Sequence, residues 1–84
     1  MATEMTIPAE LEGVLVSTSD TLGGSVRFKD TRVPVRALLD ALMCGRSVDY
    51  FLEAYPGVTR GQATAVIRWE QNQARAALGV ELVA

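Results

Sequence analysis

The sequence predicts a mainly α fold in which three helices follow a short pair of β-strands. Residues 31–70 carry apolar side chains at helical spacing in three successive runs, and glycine or proline stands at each joint. Upstream, two short Val-containing segments have the pattern of strands. A chain of 84 residues has room for one domain. We assign residues 13–79 to it, between an arm over 1–12 and a tail over 80–84.

The N-terminal part is predicted to contain a flexible acidic arm and then two strands. Residues 13–17 form a β-branched run, and residues 25–29 alternate apolar and polar side chains. Asp and Gly residues between them, at 19–24, favour a tight turn, so the strands are expected to form a hairpin or strand pair. A two-stranded hairpin is marginal alone, so we expect it to pack on the helices or on another subunit.

The first two helices are defined by their ends and by their apolar stripes. Pro34 suits the first position of helix one, where its missing N–H is harmless, and Gly45 suits a left-handed stop. Ser47 can cap helix two, and Pro56 ends it. The predicted core stripes are Val35, Leu38, Leu39, Leu42 and Met43 in helix one, and Val48, Phe51, Leu52 and Tyr55 in helix two.

The third helix has the strongest start signal. Thr59 and Gln62 have the spacing of a capping box, and Val58 and Ala63 have that of a hydrophobic staple. The helix then continues until Gly79 stops it, which gives a length of about 27 Å. This is long for so small a domain, so we expect the end of the helix to project beyond the core.

The joint between helices two and three points to a function. Pro56-Gly57-Val58-Thr59 has the length and chemistry of the turn in a helix-turn-helix motif. Such a motif presents its last helix to a surface, most often the major groove of DNA. The same geometry also serves in scaffolds, so the turn by itself leaves both interpretations open.

The polar side of helix three carries residue types that recognise DNA. Arg and Gln bind guanine and adenine edges through paired hydrogen bonds, and Arg also binds phosphates. The alternative is an ordinary solvated helix face, which is equally rich in these residues. The opposite side, with Ala63, Val66, Ile67 and Ala74, is expected to face the core. The candidate DNA-binding residues, spaced three or four apart on one stripe, are Arg60, Thr64, Arg68, Gln71 and Arg75.

A second basic group surrounds the junction between the second strand and helix one. It could contact phosphates, or it could form ion pairs with Asp30, Asp40 or an acidic partner. The group consists of Arg27, Lys29, Arg32 and Arg36. We add Arg32 to the candidate DNA-binding set.

Trp69 lies to one side of the core stripe of helix three. It belongs either to the core margin or to a second apolar stripe with Ala65, Ala76 and Leu78. A margin of this kind is typical of a dimer interface, and simple core packing is the alternative. Together with the small size of the domain, this favours a homodimer.

Composition disfavours several classes of function. A net charge of −2 argues against a general nucleic-acid coat protein. Charge is uneven, because residues 1–26 carry four acids and no base, whereas residues 27–84 carry eight bases and six acids. The chain has no histidine and no phosphate-binding glycine loop. We therefore expect no catalysis, no metal, no cofactor and no small-molecule substrate.

The expected location is the cytoplasm. The single cysteine, Cys44, excludes an intrachain disulfide and suits a reducing compartment. No apolar run approaches the roughly 20 residues of a membrane span. The N-terminus lacks the pattern of a secretory signal.

Several short motifs follow one another in a fixed order along the chain. They are Leu22-Gly23-Gly24, Thr31-Arg32-Val33-Pro34-Val35, the Leu-rich helix ending at Gly45, and Ser47-Val48, Phe51-Leu52, Tyr55-Pro56 and Thr59. This order resembles the family catalogued as domain of unknown function 433, over about residues 14–78. At one point the family commonly has Gly-Thr-Arg, where this chain has Asp30-Thr31-Arg32, and at another it has Gly-Gly-Lys-Pro, where this chain has residues 23–26.

The resemblance implies a homeodomain-like trihelical fold with a short β element before it. It also implies an antitoxin of the VapB kind, encoded beside a PIN-like ribonuclease toxin that it neutralises, and often repressing its own operon. Residues 56–59 and the following helix take the position of a recognition helix. We therefore expect a dimeric DNA-binding antitoxin and transcriptional regulator, with operator DNA and a PIN-like toxin as partners. The alternative is a protein-interaction module that binds a partner without DNA contact.

Overall fold

Within the described residues, the fold consists of three α-helices and a two-stranded antiparallel sheet, which confirms the predicted mainly α class. The computed structural model describes residues 7–17 and 26–80. A 3-10 turn at Ala9–Leu11 precedes the sheet. The other elements are β1 (Leu15–Ser17), β2 (Val26–Phe28), α1 (Val35–Met43), α2 (Val48–Ala54) and α3 (Arg60–Leu78).

The two strands pair as predicted, and one face of the pair is buried. Leu15 lies opposite Phe28, Val16 opposite Arg27, and Ser17 pairs with Val26. Leu15 and Phe28 are 5% and 0% exposed, so this cross-strand pair contributes directly to the core. The glycine-containing turn predicted at 19–24 lies outside the described residues.

The turn between β2 and α1 is held by the side chain of Thr31. Its hydroxyl donates to the carbonyl of Phe28 at 2.9 Å and accepts from the N–H of Val33 at 3.0 Å. The N–H of Phe28 donates to the carbonyl of Val33 at 3.0 Å, which closes the turn. The threonine of the Thr-Arg-Val-Pro motif therefore has a structural role.

Asp30 adopts a left-handed backbone conformation in this turn, with φ 63°. A Cβ atom disfavours this region, although Asp tolerates it better than most residues. The family that the sequence resembles commonly has glycine here, which adopts positive φ without steric cost. The Asp-for-Gly difference is thus accommodated by the backbone of the turn.

The apolar stripes of α1 and α2 are confirmed at their centres and fail at one end. Leu38 and Phe51 are 0% and 1% exposed. The prediction that Met43 belongs to the core is wrong, because Met43 is the last residue of α1 and is 87% exposed. Tyr55 follows α2 and is 39% exposed, with its ring centroid 5.1 Å from that of Phe51.

The predicted helix ends are largely confirmed. Pro34 lies one position earlier than expected, as the residue before α1, with ψ 145°. Gly45 has φ 83°, as predicted for a left-handed stop. Ser47 caps α2, because its hydroxyl accepts from the N–H of Tyr50 at 3.1 Å.

The start and the stop of α3 are as predicted. Thr59 and Gln62 form a complete capping box, and Gly79 ends the helix with φ 69°. Val58 and Ala63, the predicted staple, are 3% and 0% exposed. Hydrogen bonds at both ends therefore satisfy backbone N–H and C=O groups that have no partner within the helix.

Only the first half of α3 is packed. Ala63 and Val66 are buried, whereas residues 70–78 are exposed apart from the partly buried Arg75. The expected projection beyond the core is confirmed. The assignment of Ala74 to the core face is wrong, because no described element extends far enough to cover that turn of the helix.

The N-terminal 3-10 turn contributes to the core, which the sequence did not predict. Leu11 is 2% exposed, and the turn packs against α3. The predicted arm over 1–12 is therefore part of the fold from Ile7 onward, and residues 1–6 lie outside the described chain. Among the described residues, the buried core consists of Leu11, Leu15, Phe28, Leu38, Phe51, Val58, Ala63 and Val66.

The rings of Phe28 and Phe51 join the sheet to α2 at the centre of this core. Their centroids lie 6.0 Å apart at an interplanar angle of 48°. Tilted aromatic pairs at this distance are favourable beyond their burial alone.

No helix in the described part of the chain is both long and apolar enough to cross a membrane.

Substitution of Leu11 tests whether the N-terminal turn belongs to the cooperative fold. We expect Leu11→Ala to lower the free energy of unfolding by about 2–4 kcal/mol, because it leaves a cavity in the core. Leu78→Ala is the matched control, since Leu78 is 76% exposed. Urea denaturation measures both, and equal losses would show that Leu11 is not buried in solution.

Substitution of Asp30 tests the left-handed turn. We expect Asp30→Val to destabilise the fold by about 1–2 kcal/mol, because a β-branched side chain is strained at positive φ. Asp30→Gly should preserve or raise stability. Thermal unfolding compares the two, and indistinguishable midpoints would contradict a left-handed residue at this position.

Candidate nucleic-acid interface

The exposed side of α3 brings together the polar residues predicted from its sequence. Arg60, Thr64, Arg68 and Gln71 are exposed, and Arg75 is partly buried. We call these five residues the α3 stripe. With α3 at Arg60–Leu78, the stripe runs for about 22 Å along one side of a single helix. A surface of this kind presents guanidinium, hydroxyl and amide groups in one direction.

The start of the stripe is fixed by the side chain of Gln62. Its Oε1 accepts from the N–H of Thr59 at 2.9 Å, and its Nε2 donates to the carbonyl of Lys29 at 3.1 Å. The Thr59 hydroxyl accepts from the N–H of Gln62 at 3.1 Å. The first turn of α3 is therefore bonded to the turn after β2, far away in sequence.

Arg60, the first residue of the stripe, forms an ion pair with Asp49 of α2. The donor is Nη2 of Arg60 and the acceptor is Oδ1 of Asp49. Their side chains are 62% and 70% exposed, so both groups remain accessible to solvent. Sequence reasoning missed Asp49, because pairing between two helices depends on how they pack.

Arg68 lies in the middle of the stripe and forms no ion pair or hydrogen bond within residues 7–17 and 26–80. Its guanidinium, on the exposed side of α3, is available to a partner. The same is true of the side chain of Gln71, one helical turn further on. These two residues are the accessible centre of the stripe.

The second basic group does not act as one surface. Arg27 is partly buried and donates from Nη1 to the carbonyl of Thr31 at 3.0 Å. Arg36 pairs with Asp40 at 3.2 Å, as the ion-pair alternative predicted. Arg32 is exposed in the turn after β2, three residues beyond Lys29, whose carbonyl accepts from Gln62.

Trp69 packs at the margin of the core. It is partly buried against the core cluster, and its Nε1 is buried without a hydrogen-bond partner among the described residues. This supports the core-packing interpretation for much of the ring. The homodimer stays a prediction.

A shallow groove between α1 and α2 was not predicted. Arg46, Tyr50 and Cys44 all line this groove. The guanidinium of Arg46 lies 4.7 Å from the centroid of the Tyr50 ring, and Cys44 is exposed. Among the residues that the structure describes, no group of three His, Cys, Asp or Glu side chains is placed to hold a metal ion. Among the described residues, we take the α3 stripe as the candidate site, because it places three arginines, a glutamine and a threonine along one side of a single helix.

Comparison with known proteins identifies the family. A family model described as Protein of unknown function (DUF433) matches residues 15–69. The crystal structure of a DUF433 member protein from Anabaena variabilis ATCC 29413 is similar, with a TM-score of 0.63 and 26% sequence identity. That similarity covers 88% of this chain and 85% of the other. No curated protein matches the chain.

The match of the family model covers most of the packed part of the fold but leaves out the core residue Leu11. It begins with the first residue of β1 and ends at residue 69, where the buried part of α3 also ends. It thus includes the Thr31 turn, the capping box and the first three residues of the stripe. Since the match spans most of the length of the chain, the chain belongs to the DUF433 family of proteins of unknown function.

Proposed function

We propose that this protein binds DNA through α3 and regulates transcription as the antitoxin of a toxin–antitoxin pair, in which it neutralises a PIN-like ribonuclease. The observation that carries the DNA part is the exposed, unpaired guanidinium of Arg68 at the centre of the α3 stripe. The antitoxin part rests on the resemblance of the sequence motifs to the VapB-like family.

The dimensions of α3 suit the major groove of DNA. The groove is about 12 Å wide and admits an α-helix. In this proposal Arg68 and Gln71 reach base edges, because Arg binds guanine and Gln binds adenine through paired hydrogen bonds. Arg60 and Arg75, near the ends of the stripe, contact phosphates, with Thr64 and Arg32 as further polar contacts.

A homodimer would complete the recognition of an operator. Two copies of α3 related by a two-fold axis bind half-sites about 34 Å apart, in successive major grooves. A single small domain has few contacts, so pairing of two domains increases the affinity for a palindromic site. We therefore propose that a homodimer binds a palindromic operator in the DNA upstream of the protein's own gene.

Substitution of Arg68 tests DNA binding by α3. The probe is a DNA duplex from the region upstream of the protein's own gene, which we call the upstream duplex. We expect Arg68→Ala to weaken binding to this duplex about tenfold, because it removes a base or phosphate contact. Arg36→Ala is the matched control, since it removes the same charge from α1, where Arg36 is 85% exposed. Fluorescence anisotropy across a range of salt concentrations measures both.

Two outcomes would contradict this part of the proposal. One is the absence of wild-type binding at low salt, where phosphate contacts are strongest. The other is an equal loss of affinity in the Arg68 and Arg36 variants, which would reduce the effect to net charge.

A protein-interaction module without DNA contact is the second candidate. It is favoured by exposed apolar side chains near helix ends: Met43, Leu78 and Val80 are 87%, 76% and 54% exposed. Apolar side chains at an exposed helix end are suitable anchors for a protein partner.

Charge reversal separates the two candidate functions. We expect Arg68→Glu to abolish DNA binding, because a carboxylate repels phosphate, and to leave binding of the adjacent gene product intact. Leu78→Asp should weaken binding to that product if the end of α3 is the docking surface. A pull-down with the purified adjacent gene product gives the readout. Loss of both activities in Arg68→Glu would contradict separate surfaces.

A further inference from the structure

We infer that Asp49 restrains DNA binding by competing with phosphate for Arg60. The inference rests on the proposed DNA-binding function of the α3 stripe and assigns a regulatory role to a residue outside it. In the absence of DNA, the carboxylate of Asp49 takes the place of an anion at the guanidinium of Arg60. A phosphate that contacts Arg60 must displace that carboxylate or share the guanidinium with it.

The position of the pair makes this competition direct. Asp49 is the second residue of α2 and Arg60 is the first residue of α3, so the bond crosses the turn that joins the two helices. Their side chains are 70% and 62% exposed, so a ligand can reach the guanidinium without unfolding the domain. Exposed ion pairs are weak, so exchange of one anion for another is feasible.

Electrostatics gives the direction of the effect. A phosphate bound at Arg60 would lie within a few ångström of the Asp49 carboxylate, which is well inside the Debye length of about 8 Å at physiological ionic strength. Dissolved salt therefore screens the repulsion between these two negative charges only weakly. Asp49 thus lowers the affinity for any duplex, and binding persists where the remaining contacts of the stripe compensate for it.

The chain contains a matched pair for comparison. Arg36 and Asp40 form a similarly exposed ion pair, with side chains 85% and 63% exposed, within the single helix α1. Neither residue belongs to the α3 stripe. Asp49→Asn and Asp40→Asn therefore change the net charge equally and release an arginine each, and they differ in whether that arginine lies on the proposed DNA surface.

Fluorescence anisotropy with the upstream duplex and an unrelated duplex of equal length tests the inference. We expect Asp49→Asn to bind about three- to tenfold more tightly than wild type and to increase the salt slope by about one. Asp40→Asn should change affinity less than about twofold, because its arginine is off the stripe. Arg60→Ala should reduce affinity more in the Asp49→Asn background than in wild type, because the two residues are coupled.

The outcomes separate this inference from the proposed function. Equal effects of Asp49→Asn and Asp40→Asn, or equal costs of Arg60→Ala in both backgrounds, would overturn the role of Asp49 while DNA binding stands. Weaker binding by Asp49→Asn would overturn it too, since Asp49 would then orient Arg60 for DNA. Failure of every variant to bind would remove the proposed function and this inference with it. Thermal unfolding of each variant confirms that it is folded, and Asp49→Ala serves as a second substitution.

Discussion

The side chain of Gln62 links the two halves of the molecule. Its Oε1 completes the cap of α3 with Thr59, and its Nε2 binds the carbonyl of Lys29 in the turn after β2. That turn is itself fixed by the Thr31 hydroxyl and by the left-handed backbone of Asp30. The first turn of α3 is thus bonded to this segment, so the start of the helix is held against the turn after β2. The exposed α3 stripe is therefore presented by a defined part of the fold.

Burial of the apolar core supports this arrangement from the other side of α3. Ala63 and Val66 lie against a core that contains Phe28, Leu38 and Phe51, and Leu11 of the N-terminal turn closes the same region. Burial of such side chains is the main favourable contribution to folding. The last two turns of α3 pack against no apolar core in the described part of the chain. A helical segment of only two turns is marginal in water without such packing. A partner on that part of α3 would stabilise it.

Much of the fold could be predicted because its signals are local. Capping residues such as Ser47 and Thr59, the stops at Gly45 and Gly79, and the helical spacing of apolar residues all act within a few positions of the chain. Met43 and Ala74 were misassigned because periodicity gives the side of a helix that is apolar but not where the neighbouring elements end. Leu11 was missed because a single apolar residue in a short turn has no period.

The candidate site was predictable to the same extent. The exposure of Arg60, Arg68 and Gln71 follows from helical spacing, and the structure places them on one side of α3. The bonds from Gln62 to Lys29 and from Arg60 to Asp49 join segments distant in sequence, so no local pattern reveals them.

We propose that the exposed side of α3 is a DNA-binding surface. NMR titration of the ¹⁵N-labelled protein with the upstream duplex tests it most directly, because backbone amide shifts locate the contact along the chain. We expect the largest shifts on residues 59–75 and on the turn at Arg32, with small shifts in α1 and β1. Shifts confined to the groove between α1 and α2, or no saturable shifts at low salt, would contradict it.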